Sequence, residues 1–337
     1  MSSIQTDGNT VLVITARNSD TGDAVTLALQ GLGVRTVRFD LADLGRTVSV
    51  SARCDAGQWQ GSLTVRSRVT KLRDVWSVFW CHPTPPRVWG DGMTQAQMQW
   101  ASQEALAGLA GVLGTLDCLH VNRPSDIRRA QIKVGVVAAA ERAGLTVPPT
   151  WIGSLPSGAR RFNLGAPDGI VTKTLTVPQI TEDDHRVRPL YTTLVVDSDL
   201  DAVATGITHL QHRVVTDYAV RAHTIGTRTI AVRIDAHTTV GRTDWRATPE
   251  SLTSTPNTLP SPVADALIAL VQCYGLPYAA SDLLVDSHGR WYFVDLNPAG
   301  HRWLENELPD LGITQALAQL LAGDSERPSR NGLTAAA

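Results

Sequence analysis

Two acidic residues and one amide near the carboxyl end, Asp282, Asp295 and Asn297, carry the clearest chemical signal in this chain. They sit in two largely apolar runs, 280–285 and 290–296, separated by Asp286, Ser287, His288 and Gly289, which is good turn chemistry for a hairpin. Pairing Val285 with Arg290 sets Asp282 opposite Phe293, and the two-residue alternation of strands then puts all three side chains on one face. Diagonal neighbours on such a face are about 7 to 8 Å apart, within reach of one shared cation. Two carboxylates and an amide oxygen are hard ligands, suited to magnesium that keeps its other positions for water and phosphate oxygens. A solvated polar face would use the same residue types. Against it, Asp282 and Asp295 are flanked by apolar residues, where a bare carboxylate is costly to bury.

The cations narrow the chemistry further. Lys and Arg total 30, yet only Lys71, Lys133 and Lys173 are lysines, so arginine serves almost wherever a generic positive charge would do. A lysine in such a chain points to a site that wants a compact ammonium. Lys173 lies in an alternating run, 170–175, that predicts a strand, and Lys133 lies in a predicted helix. Two ammonium groups framing a polyphosphate opposite a magnesium hairpin is one reading. A dimetal carboxylate site that uses no nucleotide is another that the carboxylates alone leave open.

The elements that must position these groups are those of an α/β protein. Strand, helix and strand follow one another over 11–39, a hairpin is predicted over 47–69, a buried strand over 75–80, a helix over 93–113 and a strand over 118–121. Asn122, Arg123 and Pro124 break the chain, and helical spacing follows to Gly144. Short strands alternate with polar, Pro- and Gly-bearing turns over 148–195. Further strands are predicted over 214–222 and 229–234, then a loop over 237–260, a helix from Pro262 to Gly275, the metal hairpin, and a last helix near 311–321. The expected division is 1–123, 124–208 and 209–325, with a frayed tail over 326–337.

Composition excludes several classes. Of 337 residues, 43% are hydrophobic and 18% charged, enough apolar material to offset the entropy of ordering the chain. A net charge of −2 gives no broad attraction to nucleic acid or anionic lipid. The four cysteines form no C-x-x-C pair, the first ten residues are polar, and the longest apolar stretch is far short of the roughly 20 residues that span a bilayer. A cytoplasmic protein with no membrane and no nucleic-acid partner is expected.

Several segments together resemble the ATP-grasp superfamily, most closely the maturases of graspetides, ribosomal peptides ring-closed through side-chain esters and amides (the microviridin type and its actinobacterial relatives). The segments are Asp74 to Trp80 before His82 and Pro83, Asn122-Arg-Pro124 followed by Lys133, and 144–148 with Thr150. Leu210-Gln211 with Arg221 and Gly226, Ile234-Asp235, Asp244-Trp-Arg246, and Phe293 to Gly300 after Asp282 complete the set. The resemblance implies an ATP-grasp fold of three subdomains: a Rossmann-like pre-ATP-grasp α/β domain, a small central α+β domain and a C-terminal antiparallel sheet domain. It implies ATP and Mg2+ as cofactors, with Lys133 and Lys173 on the phosphates and Asp282, Asp295 and Asn297 on magnesium. The backbone of Gln211, His212 and Arg213 would meet the adenine edge, and Arg221, with Lys173, would act at the transferred phosphoryl group. Arg233, His237 and Arg246 would face the substrate, a precursor peptide with leader and core, and a homodimer is expected.

This chain departs from the family pattern at His212 and Asp295, where Glu is usual, at Ala219, at Val134 to Val137 after Lys133, at Ala236-His237, and at Cys81-His82. The implied activity is phosphorylation of a core Asp or Glu carboxylate followed by attack of a Thr, Ser or Lys side chain. Two alternatives remain: an amide ligase acting on free amino acids or short peptides, and a catalytically weakened module that binds a leader peptide for a partner enzyme.

Overall fold

The computed structural model describes residues 9–184, 186–300, 308 and 311–323; the predicted tail over 326–337 lies outside them. The chain begins with β1 (Thr10–Thr15), α1 (Asp20–Gly31) and β2 (Arg35–Phe39), then β3 (Val48–Asp55), β4 (Gln58–Val65) and β5 (Arg68–Lys71), and returns through β6 (Val75–Cys81), α2 (Gln95–Gly114) and β7 (Leu119–Val121). Four of these strands form a parallel sheet in the order β2-β1-β6-β7, and β3, β4 and β5 form a separate antiparallel meander. Ser19 caps α1 by accepting from the Gly22 N–H, and Thr94 with Gln97 makes a capping box on α2, so two orphan donors are met at that entry. The strands of the parallel sheet carry apolar residues on both faces, as a covered parallel sheet requires. Leu12, Ile14 and Val78 pack toward Leu109 and Leu113 of α2 and the meander, while Val11, Val13 and Phe79 pack toward Val25 and Leu29 of α1.

Beyond α3 (Pro124–Ala130) and α4 (Lys133–Arg142) come β8 (Thr150–Gly153), α5 (Pro156–Leu164), β9 (Ile170–Lys173), β10 (Gln179–Thr181), β11 (Val187–Pro189), β12 (Thr193–Val195) and β13 (Thr208–His212). The central sheet has the order β12-β9-β13-β8, and β10 with β11 forms a separate hairpin. Among the short strands and turns expected over 148–195, α5 supplies a helix. Its Pro156 occupies the first helical turn, where a missing N–H costs nothing, and Ala159 and Phe162 bury against Ile170 and Leu210.

The last sheet is antiparallel, β16-β15-β14-β17-β18. It is built from β14 (Thr216–Ile225) and β15 (Arg228–Ala236), then α6 (Thr239–Thr243), β16 (Leu252–Asn257) and α7 (Ser261–Cys273), and finally β17 (Tyr278–Asp286) and β18 (Trp291–Asn297), with α8 (Ile313–Ala322) at the end. The expected loop over 237–260 therefore contains a strand. Its Ser, Thr and Pro content reads as loop, but β16 is an edge strand, where proline is tolerated.

Two packing units cut across the expected subdomain boundaries. Val136, Ala139 and Ala140 of α4 bury against Leu283, Phe293 and α7, and Thr146 accepts from the Phe293 N–H at 2.8 Å, so 133–147 rides on the back of the last sheet. At the other end, Ile313, Leu317 and Leu321 of α8 bury against α1 and the first sheet, and Ser77 Oγ donates to the Leu321 carbonyl at 2.8 Å. The carboxyl end thus completes the amino-terminal core. The reason is burial: α8 has an apolar stripe that nothing else covers.

Candidate active site

The central sheet and the last sheet face each other across a cavity enclosing about 820 Å3 of space open to solvent. Its lining includes Lys133, Lys173, Gln211, Arg246, Asp282 and Asp295, from elements spread over nearly half the chain.

The hairpin reaches the expected result by a different register. Val285 pairs with Trp291, not with Arg290, because Ser287, His288 and Gly289 form the loop, closed by Asp286 N–H to Arg290 O at 3.1 Å and with Gly289 at φ +74°. That offset alone would leave Asp282 opposite Val294. Between Leu283↔Phe293 and Asp282↔Asp295, however, Val294 is bulged out of the ladder. The extra residue turns Asp295 to stand directly across from Asp282, with Asn297 two residues on along the same face. The bulge also frees the Val294 carbonyl, which accepts from Lys173 Nζ at 2.9 Å.

Lys173 is the last residue of β9 and bridges the two sheets, donating also to Gln211 Oε1 at 3.1 Å. Gln211 in turn donates to Thr150 Oγ1 at 3.0 Å. Burial pulls the Lys173 ammonium down to about 8, with Asp295 working against that shift. Lys133 opens α4, an unfavourable place for a cation in terms of the helix dipole, and meets Asp295 Oδ2 at 3.5 Å. Arg221, on β14, is buried and holds both oxygens of Asp282 at 3.0 and 3.2 Å through Nη1. Its Nη2 donates to the Gly300 carbonyl at 3.3 Å, and its guanidinium lies 5.8 Å from the Trp245 ring centre. Burial raises the Asp282 carboxyl above its ordinary value, while Arg221 opposes it.

Each carboxylate of the expected metal set is therefore matched to one of the cations expected at the phosphates. The donor set fits a hard divalent ion: two carboxylates on directly paired residues and an amide on the same face. No group of three His, Cys, Asp or Glu side chains that could hold a metal occurs among the described residues, so any ion held here relies on the amide, on water or on ligand oxygens.

Arg246 also faces the cavity, fixed by Asp244 through Nε at 2.8 Å and Nη2 at 2.7 Å. Asp244 accepts in addition from the Thr192 N–H at 2.8 Å, tying the segment before β12 to the last sheet. Burial pushes the Asp244 carboxyl up, but the bonds from Arg246 and Thr192 outweigh it and hold the group below the ordinary range.

Two expected substrate residues lie elsewhere. Arg233 pairs with Val220, so strand alternation sends it to the opposite face from Arg221, where it stacks on Tyr218 at 3.8 Å and bonds Asp235. His237 lies outside the cavity lining and is bonded to Thr253 Oγ1 at 2.8 Å. Gln211, His212 and Arg213, whose backbone is expected at the adenine edge, line the cavity. The N–H groups of His212 and Arg213 donate to the Pro149 and Gly169 carbonyls, both at 2.9 Å, and are committed within the protein. Val214, the next residue, also lines the cavity.

One notable residue escaped the sequence reading. His209, directly paired with Lys173, is buried with both ring nitrogens lacking a partner, and burial, then Lys173 and Lys133, pulls it down to about 4. Only the register of β9 and β13 reveals it.

Residues 10–128 match the family described as the MvdD pre-ATP grasp domain. No curated protein matches the chain in sequence. Among solved structures, the chain is similar to a RiPP-associated ATP-grasp ligase of Chryseobacterium gregarium, in complex with ADP and a leader and core peptide, with TM-score 0.84 and 24% identity over 95% of this chain and 98% of that one. The macrocyclase MdnC of Microcystis aeruginosa MRC, bound with the precursor peptide MdnA, superposes with TM-score 0.79 and 23% identity, covering 93% and 99%. The ATP-grasp ligase PsnB, complexed with a precursor variant, Mg and ADP, gives 0.70 and 17%, covering 94% and 98%. A parallel α/β domain that matches that family model over 10–128, followed by two antiparallel sheets facing one another across a cationic and acidic cavity, gives this chain the ATP-grasp fold.

Proposed function

We propose that this chain is an ATP-dependent carboxylate ligase that closes side-chain ester or amide rings in a ribosomal precursor peptide. The carrying observation is the convergence, in one cavity, of Lys133, Lys173 and Arg246 with Asp282 and Asp295, and of Arg221 against Asp282. Cations from both sheets beside a pair of facing carboxylates suit a nucleotide polyphosphate with a divalent ion. The relatives of this fold solved with ADP, Mg and precursor peptides support both the nucleotide and the peptide.

Carboxylates do not condense with alcohols or amines in water, because hydroxide is a poor leaving group. In the proposed cycle a peptide carboxylate oxygen attacks the γ-phosphorus and ADP departs. A hydroxyl or amine of the same peptide then attacks the acyl carbon, phosphate departs and a proton is released, so the peptide loses one water per ring. Magnesium, when bound, would supply positive charge that offsets the charge of the phosphoryl group as it moves. Asp282, Asp295 and Asn297 are the residues to hold it. Lys133 and Lys173 would take the phosphates, Arg221 and Arg246 the transferred group, and Gln211 with 212–214 the base. No protein nucleophile is required, since positioning and electrostatics supply the rate.

The test is to incubate the purified chain with ATP, Mg2+ and a candidate precursor, any short acidic and Thr-rich peptide found encoded beside it, then weigh the peptide. A loss of one water per ring with matching ADP release supports the reading. Unchanged peptide mass, with ADP released only in the presence of free amino acids, would move the assignment to a small-molecule amide ligase.

A further inference from the structure

The amino-terminal domain meets the hairpin of β17 and β18 at the carboxyl-terminal ends of β6 and β7. Asn122 follows β7 directly and His82 follows β6 directly, so both stand at the carboxyl-terminal ends of adjacent parallel strands. Asn122 is fully buried. Its Nδ2 donates to the Tyr278 carbonyl at 2.8 Å and to the Pro298 carbonyl at 2.6 Å, and its Oδ1 accepts from the Tyr278 N–H at 3.3 Å. Tyr278 opens β17 and Pro298 follows the last residue of β18, so one side chain ties together the two open ends of the hairpin that carries Asp282, Asp295 and Asn297. His82 Nε2 donates to the carbonyl of the next residue, Ala299, at 2.8 Å.

That turn in turn orients the amide of the metal set. The Ala299 N–H donates to Asn297 Oδ1 at 3.1 Å, and the Gly300 N–H to the Asn297 carbonyl at 3.3 Å. Gly300 also accepts from Arg221, and a Cβ there would lie 2.6 Å from Arg221 Nη2 and 3.0 Å from Asn297 Cγ, so the turn has no room to shift toward the site.

Resting on the nucleotide reading above, we infer that Asn122 and His82 are positioning residues: the amino-terminal domain uses them to hold the 298–300 turn and so aims Asn297 at the ion shared with Asp282 and Asp295. Neither side chain is among those lining the cavity. Partners of this kind, one shell removed from a metal, typically change its affinity by about 10- to 100-fold when removed.

The experiment measures ADP affinity with saturating Mg2+ and with EDTA, and amide hydrogen exchange of the ligand-free chain, for wild type, Asn122→Ala, Asn122→Asp, His82→Phe and His82→Gln. His82 is exposed, so its variants test the turn without emptying a core. Expected are a drop of about tenfold or more in the gain that Mg2+ gives to ADP binding for Asn122→Ala and Asn122→Asp, a smaller drop for His82→Phe, and recovery in His82→Gln, which retains a donor. Affinity in EDTA should stay within about twofold of wild type, and exchange at Ala299 and Gly300 should accelerate. Folded variants with an unchanged Mg2+ gain and unchanged exchange at those two amides would overturn the inference. A wild-type chain whose ADP binding ignores Mg2+ would instead sink the nucleotide reading, and the exchange arm would still decide whether the turn is held from the amino-terminal domain.

Discussion

Nucleotide affinity should fall as pH rises above neutrality, and Lys173 sets the curve. In the ligand-free chain its ammonium is pulled by burial from 10.5 to about 8. It is therefore about 90% protonated at pH 7 and about 10% at pH 9. A polyphosphate beside the group favours the charged form and returns the pKa toward its ordinary value, so binding above pH 8 must be accompanied by proton uptake. If the value in the complex is near 10.5, the dissociation constant rises about tenfold between pH 7 and pH 9, roughly 1.4 kcal/mol, and levels off near 300-fold at high pH. Unfolding does not mimic this through Lys173. A lysine with a lowered folded-state value destabilises the chain fully below pH 8 and releases that penalty as pH climbs to 10.5. The assay is calorimetric titration with Mg-ADP in buffers of different ionisation enthalpy, which reads affinity and proton uptake together. About half a proton should be taken up at pH 8, and Lys173→Arg, whose guanidinium stays charged, should flatten the profile. Affinity constant to pH 9 with no proton uptake would refute the placement of Lys173 at the phosphates.

Three further outcomes follow from the geometry. Asp282→Asn and Asp295→Asn should each weaken the Mg2+-dependent part of ADP binding by at least about tenfold, as read by titration with and without EDTA. His209→Leu should raise stability near neutral pH by about 1 to 2 kcal/mol, since an apolar side chain replaces a buried imidazole with two unpaired nitrogens. It should also abolish an acid-side loss of stability, worth up to about 3 kcal/mol, that wild type shows as pH falls from 6.5 through about 4; denaturant melts at several pH values read both. Leu317→Ala in α8 should cost about 2 to 5 kcal/mol, and amide exchange should rise in α1 and β6 as well as in α8, because the helix is core to the first sheet.

That Asp295 and Asn297 share a face, with Asp282 on the paired strand, was legible in the sequence because strand alternation is local. Whatever the register, Asp295 and Asn297 share a face, and carboxylates in apolar runs need a partner. Lys133 and Lys173 stood out by the rarity of their type. What pairs with what was not legible. The bulge at Val294 depends on how β18 settles against β17 and β9, and it both sets Asp295 across from Asp282 and hands a carbonyl to Lys173. The same holds for Arg233, whose face follows from the register of β14 and β15, and for His209, whose neighbours are 36 or more residues away in sequence. Local propensity and periodicity act within a few residues and determined the elements and their chemistry. Packing between elements far apart in the chain decided the rest: α4 under the last sheet, α8 in the first core, and Asn122 gripping both ends of the β17–β18 hairpin. Those contacts are stabilised by burial and hydrogen bonds that exist only once the chain is folded.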